Sequence, residues 1–155
     1  MAPRPQDYPI LVVEDNDVDF RQTQKAFRDL HIANPVSRCI DGEDALDFLY
    51  RRGKYAEPHA APRPSMILLD LNLPGTDGRA VLRDIKANAD LRQIPVIVFT
   101  TSEAPIDVED CYQAGANTYV KKPVDFPSFI DAMRRLDQYW FQIAVLPKIE
   151  LTQGS

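Results

Sequence analysis

The sequence predicts a doubly wound α/β fold built on a five-stranded, mostly parallel sheet. Two observations lead there. Short apolar runs alternate five times with segments of helical periodicity. The runs are continuously apolar rather than alternating in the middle of the chain, as strands covered on both faces are. The length of 155 residues fits one domain and supports a self-sufficient core.

The elements follow in order. The first strand spans about Ile10 to Val13. Asn16 or Asp17 then caps a helix with Phe20, Thr23, Phe27 and Leu30 on one face. The second strand, Val36 to Ile40, alternates with polar residues, as an edge strand does. Asp41-Gly42 turns the chain into a helix with Ala45, Leu46 and Leu49 inward, which Arg52-Gly53 stops. Residues 53–64 form a Pro-rich insertion with no periodicity, expected as a surface loop. The third strand is Met66 to Leu69. After the turn Leu73-Pro74-Gly75, Asp77 caps a helix with Val81, Leu82 and Ile85 inward. Val96 to Phe99 is the fourth strand, Ser102 to Ala114 a shorter helix with Gly115 beyond its end, and Thr118 to Val120 the fifth strand. Asp125 caps a last helix whose stripe Phe129, Ile130, Met133, Leu136, Trp140, Ile143 keeps a 3.6-residue period. Right-handed crossovers between five such strands favour the flavodoxin-like order 2-1-3-4-5. The expected organisation is an N-terminal arm at 1–9, one domain at 10–142 and a C-terminal extension at 143–155.

Composition narrows the function. A net charge of -5 excludes a general nucleic-acid binder, which carries a basic face. No apolar run approaches the roughly 20 residues that cross a bilayer. Cys39 and Cys111 lie far apart without a metal-binding pattern, and His31 and His59 stand alone. The expectation is a cytoplasmic protein.

Four strand ends carry chemistry: Glu14-Asp15, Asp70, Thr100 and Lys122-Pro123. Ligands of such sheets bind beyond the carboxyl ends of the strands, at the switch point between strands 1 and 3, where Glu14, Asp15 and Asp70 fall. Converging carboxylates stay ionised only around a cation, and an oxygen-only donor set selects Mg²⁺ or Mn²⁺. Asp15 and Asp70 are assigned as direct ligands, Glu14 as a ligand through water, and the Asn72 backbone carbonyl as a further ligand. Asp70 is also the best nucleophile, able to form an aspartyl phosphate. Lys122 supplies an ammonium, Thr100 a hydroxyl and Thr101 a backbone N–H for the phosphoryl oxygens. Pro123 predicts a rigid Lys122–Pro123 bond, with the cis form open to it, that aims the ammonium.

The stretches ILVVEDN (10–16), MILLDLNLPGTDG (66–78), PVIVFTTS (95–102) and AGANTYVKKP (114–123) together resemble a response-regulator receiver domain of two-component signalling. The resemblance implies Asp70 as phosphoacceptor, an acidic metal pair at Glu14 and Asp15, Thr100 and Tyr119 as switch residues, and Lys122 as the phosphate-binding lysine. It also implies transfer from a histidine kinase, self-catalysed dephosphorylation and output by protein contact. The insertion and the tail from Tyr139 to Pro147 resemble the stand-alone regulators serving bacterial phytochrome kinases. The stripe is first a core face, but it outlasts the sheet it covers, so a homodimer using Phe129, Tyr139, Trp140 and Phe141 is expected; the contrary reading is that the tail folds back over its own domain. Thr101 departs from the family by being larger than the usual Ala. Two competing classes remain. A haloacid-dehalogenase-type phosphatase needs an acid two positions after its nucleophile, and Asn72 stands there. A receiver-like module that is never phosphorylated would have no need of the acidic pair, Thr100 and Lys122.

Overall fold

The computed structural model describes residues 8–141. Strands β1 (Ile10–Val13), β2 (Val36–Cys39), β3 (Met66–Leu69), β4 (Val96–Thr100) and β5 (Thr118–Lys121) form one parallel sheet in the order β2-β1-β3-β4-β5. Helices α1 (Asp17–Asp29), α2 (Gly42–Tyr50), α3 (Gly78–Ala87), α4 (Pro105–Ala114) and α5 (Phe126–Leu136) connect them. This is the predicted flavodoxin-like arrangement.

Strand alternation divides the core into two layers. Ile10, Val12, Met66, Leu68, Ile97 and Phe99 pack with Ala26 and Phe27 of α1 and Phe129 and Met133 of α5. Leu11, Val13, Ile67, Leu69, Val96 and Val98 pack on the other side with α2, α3 and Cys111 of α4. Each fully buried Leu or Ile stabilises the fold by roughly 1.5–3 kcal/mol, and β1, β3 and β4 are buried throughout.

Four helices begin at a carboxylate or amide cap at the carboxyl edge of the sheet. Asn16, Asp41, Asp77 and Asp125 accept from the backbone N–H of Asp19, Asp44, Arg79 and Ser128. α4 is the exception and begins at Pro105 rather than at Ser102 as predicted. The residue before a proline is pushed out of the helical region, and Ala104 is extended at φ -58, ψ 130. Residues 102–104 are thereby left as a loop. Gly115, at φ +109, ends α4 as expected.

Other expectations need correction. α2 ends at Arg51, itself left-handed at φ 54, rather than at Arg52-Gly53. The α-helical part of α5 stops at Leu136 and continues as a π-helical turn, Asp137–Phe141. There is no cis peptide among the described residues, so the Lys122–Pro123 bond is trans. The segments 1–7 and 142–155, with most of the predicted arm, Ile143 and the whole predicted extension, lie outside the described residues, as does the side chain of Phe141. No helix among those described is long and apolar enough to cross a membrane.

The Pro-rich insertion is anchored rather than loose. It opens with a 3₁₀ turn, Gly53–Tyr55, and Ala61 is buried in the core. The Tyr55 hydroxyl donates to Asp44 Oδ1 at 2.6 Å, and its ring meets Phe48 edge-on at 5.0 Å. Burial pushes the neighbouring Cys39 thiol up to about 12. Burial also raises Asp44, but the Tyr55 hydroxyl, the Ile40 N–H and Lys54 outweigh it and hold Asp44 below its ordinary value of 3.8. A depressed carboxyl stabilises the fold above its unfolded-state value, and that contribution is lost as pH falls through the lower folded value. Tyr55→Phe should therefore cost about 1.5 kcal/mol at pH 7, with the difference shrinking below pH 3.8. Urea unfolding of both proteins across that range measures it; a difference independent of pH would contradict the ion–hydroxyl contact.

Candidate functional site

Register brings the strand ends together. Val13 pairs with Leu69, and the Asp70 N–H donates to the Val13 carbonyl at 3.1 Å, so Glu14 and Asp70 leave adjacent strands side by side. On the far side, Thr100 pairs with Lys121 and its carbonyl accepts the Lys122 N–H at 2.7 Å. Side-chain alternation then sorts the residues. Glu14, Asp70 and Lys122 continue the rows Ile10–Val12, Met66–Leu68 and Val120, which face α1 and α5. Thr100 and Tyr119 continue the rows facing α2 to α4.

The first set meets in the interior. The Lys122 ammonium, 6% exposed, donates to Glu14 Oε1, to Asp70 Oδ2 at 3.0 Å and to Asp19 Oδ2 at 3.0 Å. Asp19 escaped the sequence reading. Its signal was its place three residues after the Asn16 cap, in the first turn of α1, where the helix carries it over the same crevice. Burial pushes the Glu14 carboxyl up to about 7 against the pull of Lys122. Burial lowers the ammonium, but its hydrogen bond to Glu14 and the charges of Glu14 and Asp70 raise it further, so Lys122 stays charged.

The donor set fits a hard divalent cation. Glu14, Asp15 and Asp70 each offer an oxygen, all within 4.8 Å of one another, and Asp15 is exposed while the other two are buried. Oxygen-only carboxylate donors at a mouth open to water are what Mg²⁺ and Mn²⁺ take. Asn72, also exposed, turns its N–H back to Asp70 Oδ1 at 3.2 Å. α3 packs close beneath. A Cβ on Gly78 would lie 2.3 Å from the Asp70 carbonyl oxygen, so only glycine permits this approach.

Thr100 is fully buried, and its hydroxyl is the one buried side-chain polar atom among the described residues without a partner. Thr101, next along, is exposed. Tyr119 is half-buried and donates to the Ser102 carbonyl at 2.9 Å. Ser102 in turn donates to Asp107 Oδ2 at 2.6 Å, and Arg79 of α3 grips the other Asp107 oxygen at 2.8 Å.

The residues expected on a dimer surface separate. Phe129 is 2% exposed in the α1–α5 layer and stacked on Phe126, so its side chain is not offered to a partner. The π-helical turn brings Trp140 back against the same layer, half-buried. Tyr139 is 53% exposed, edge-on to Trp140.

Residues 10–134 match the family model described as the response regulator receiver domain. The chain is 38% identical to the response regulator Rcp1 of Synechocystis sp. over 89% of this chain and 92% of that one. The solved Mn²⁺-bound form of Rcp1 superposes with a TM-score of 0.84, covering 91% of this chain and 99% of that one. The phosphorylated cyanobacterial phytochrome response regulator RcpA superposes with a TM-score of 0.85 at 36% identity, covering 92% and 99%.

Removing one partner of a buried ion pair leaves the others uncompensated, at a cost of roughly 3–5 kcal/mol. Lys122→Met should therefore lower the unfolding free energy by about 3 kcal/mol, and millimolar Mg²⁺ should recover part of the loss by neutralising Glu14 and Asp70. Guanidinium unfolding with and without Mg²⁺ checks both; an unchanged midpoint would show that the ammonium contributes nothing to the fold.

Proposed function

Because the chain belongs to the response regulator receiver domain family, we propose that it is a stand-alone switch of phytochrome signalling that accepts a phosphoryl group on Asp70 from a histidine kinase. The observation that carries this is the buried Asp70 carboxylate, which shares one crevice with Glu14, Asp15 and the Lys122 ammonium. The kinase is of the phytochrome type; the likeness to Rcp1 and to a phytochrome response regulator supports that partner.

In the transfer, an Asp70 oxygen attacks phosphorus while the bond from phosphorus to the donor imidazole nitrogen breaks. The imidazole, protonated on its other nitrogen, leaves as a neutral base. Glu14, Asp15 and Asp70, with the Asn72 carbonyl, would hold Mg²⁺ or Mn²⁺, which on binding offsets carboxylate charge and polarises phosphoryl oxygens. Once Asp70 is an acyl phosphate its carboxyl no longer offers Lys122 a full negative charge, and the ammonium turns to a phosphoryl oxygen. The Thr101 N–H provides a backbone donor. The Thr100 hydroxyl gains the acceptor it lacks, and an unsatisfied buried group of this kind costs about 1–3 kcal/mol. Its movement draws on the loop at Ser102, which Tyr119 and Asp107 hold, and so reaches the surface of α4 and β5. Later attack of water on phosphorus breaks its bond to the Asp70 oxygen, releases inorganic phosphate, frees the carboxylate and resets the switch.

The functional unit spans residues 10–142 and associates as a homodimer through the α5 end, where Tyr139 and Trp140 offer apolar surface. Sedimentation velocity should show concentration-dependent dimers that Tyr139→Ser weakens severalfold; a monomer at all concentrations removes this part of the proposal.

Acetyl phosphate with Mg²⁺ should add one phosphoryl group by intact mass, absent in Asp70→Asn and lost on chelation. Asp15→Asn should slow the reaction at least tenfold at limiting Mg²⁺. A modified Asp70→Asn protein would overturn the assignment.

A further inference from the structure

The loop that carries the two acidic residues of β1 is gripped from the sheet edge by a side chain not yet assigned any role. Arg38 lies in β2, directly paired with Val12 of β1. The last rung of that ladder runs from the Glu14 N–H to the Cys39 carbonyl at 2.9 Å. Beyond it the Glu14 carbonyl has passed the end of β2, and Arg38 Nε donates to it at 3.0 Å. The other arm of the same guanidinium donates to Asp17 Oδ1 at 2.8 Å. The guanidinium plane also lies over the Phe20 ring, 4.7 Å from its centroid. One rigid fork thus spans the backbone on both sides of Asp15, from Glu14 to the first residue of α1. Asn16, between them, caps α1 and directs its own N–H to Glu14 Oε2 at 3.3 Å.

We propose, resting on the cation site proposed above, that Arg38 is a positioning residue for divalent-metal binding: it fixes the Glu14–Asp17 loop so that Glu14 and Asp15 face Asp70. The arrangement has a diagnostic sign. By charge alone, a guanidinium on this loop opposes a cation, and its removal also frees the negative charge of Asp17. Electrostatics therefore predicts that loss of Arg38 tightens metal binding. Positioning predicts the reverse, because the carboxylates then pay an ordering cost on binding, as when groups that orient metal ligands are lost.

The test is calorimetric titration of the whole chain with Mn²⁺ and Mg²⁺, on wild type, Arg38→Met and Arg38→Lys, each checked for folding by circular dichroism and thermal unfolding. Arg38→Met keeps the stem over Phe20 without the charge. Arg38→Lys keeps the charge, but one ammonium cannot reproduce the planar fork. The expected result is metal affinity weaker by about tenfold in both variants, at unchanged stoichiometry. Equal or tighter binding in Arg38→Met overturns the inference while leaving the cation site intact. Should Arg38→Met fail to fold, Arg38→Lys decides alone: charge is conserved, so unchanged affinity overturns and weaker affinity supports. A wild-type chain that binds neither ion overturns the cation site itself, and this inference with it.

Discussion

One ammonium holds the carboxyl edge of this sheet together. Lys122 comes from the end of β5, Glu14 from β1, Asp70 from β3 and Asp19 from α1, and all three carboxylates meet its nitrogen. A buried charge of either sign is tolerated only when it is paired, so these strand ends must converge for any of them to stay buried. The residues to which the chemistry is assigned in the proposal thereby also define the edge. The excess of carboxylate over ammonium leaves the pocket acidic, which is why its donor set calls for a divalent cation rather than for an anion.

The alternation of the strands distributes two tasks to two faces. Glu14, Asp70 and Lys122 fall on the face of α1 and α5, where charge is handled. Thr100 and Tyr119 fall on the face of α2 to α4, where Arg79, Asp107 and Ser102 link α3, α4 and the loop between β4 and α4. On that second face Thr100 is fully buried with an unpartnered hydroxyl. The Thr100 hydroxyl thus has an unmet hydrogen bond and is joined by backbone to the loop that Tyr119 and Asp107 hold.

The supports of the site come from outside it. Gly78 lets α3 approach the backbone of Asp70, and Arg38 closes the loop beyond the β1–β2 ladder. Tyr55 ties the Pro-rich insertion to Asp44 near the start of α2. Gly78 and Arg38 meet the site through its backbone, whereas Tyr55 acts side chain to side chain.

The strands, their order, three of the helix caps and the gathering of Glu14, Asp15, Asp70 and Lys122 were legible in the sequence, because they depend on local periodicity and on a topology rule. Asp19 was not, since a carboxylate in a first helical turn reads as a solvated cap until the helix is set over the crevice. Arg38 was hidden for the same reason: its partners are 21 and 24 residues away along the chain. The start of α4 at Pro105 is a local effect of the proline and could have been read from the sequence, and the stripe from Phe129 to Trp140 reads as a core face; the π-helical turn that carries Trp140 onto that face depended on packing. Periodicity reports which residues share a face of their own element. Which neighbour covers that face, and which charge meets which, is decided only when the chain closes on itself.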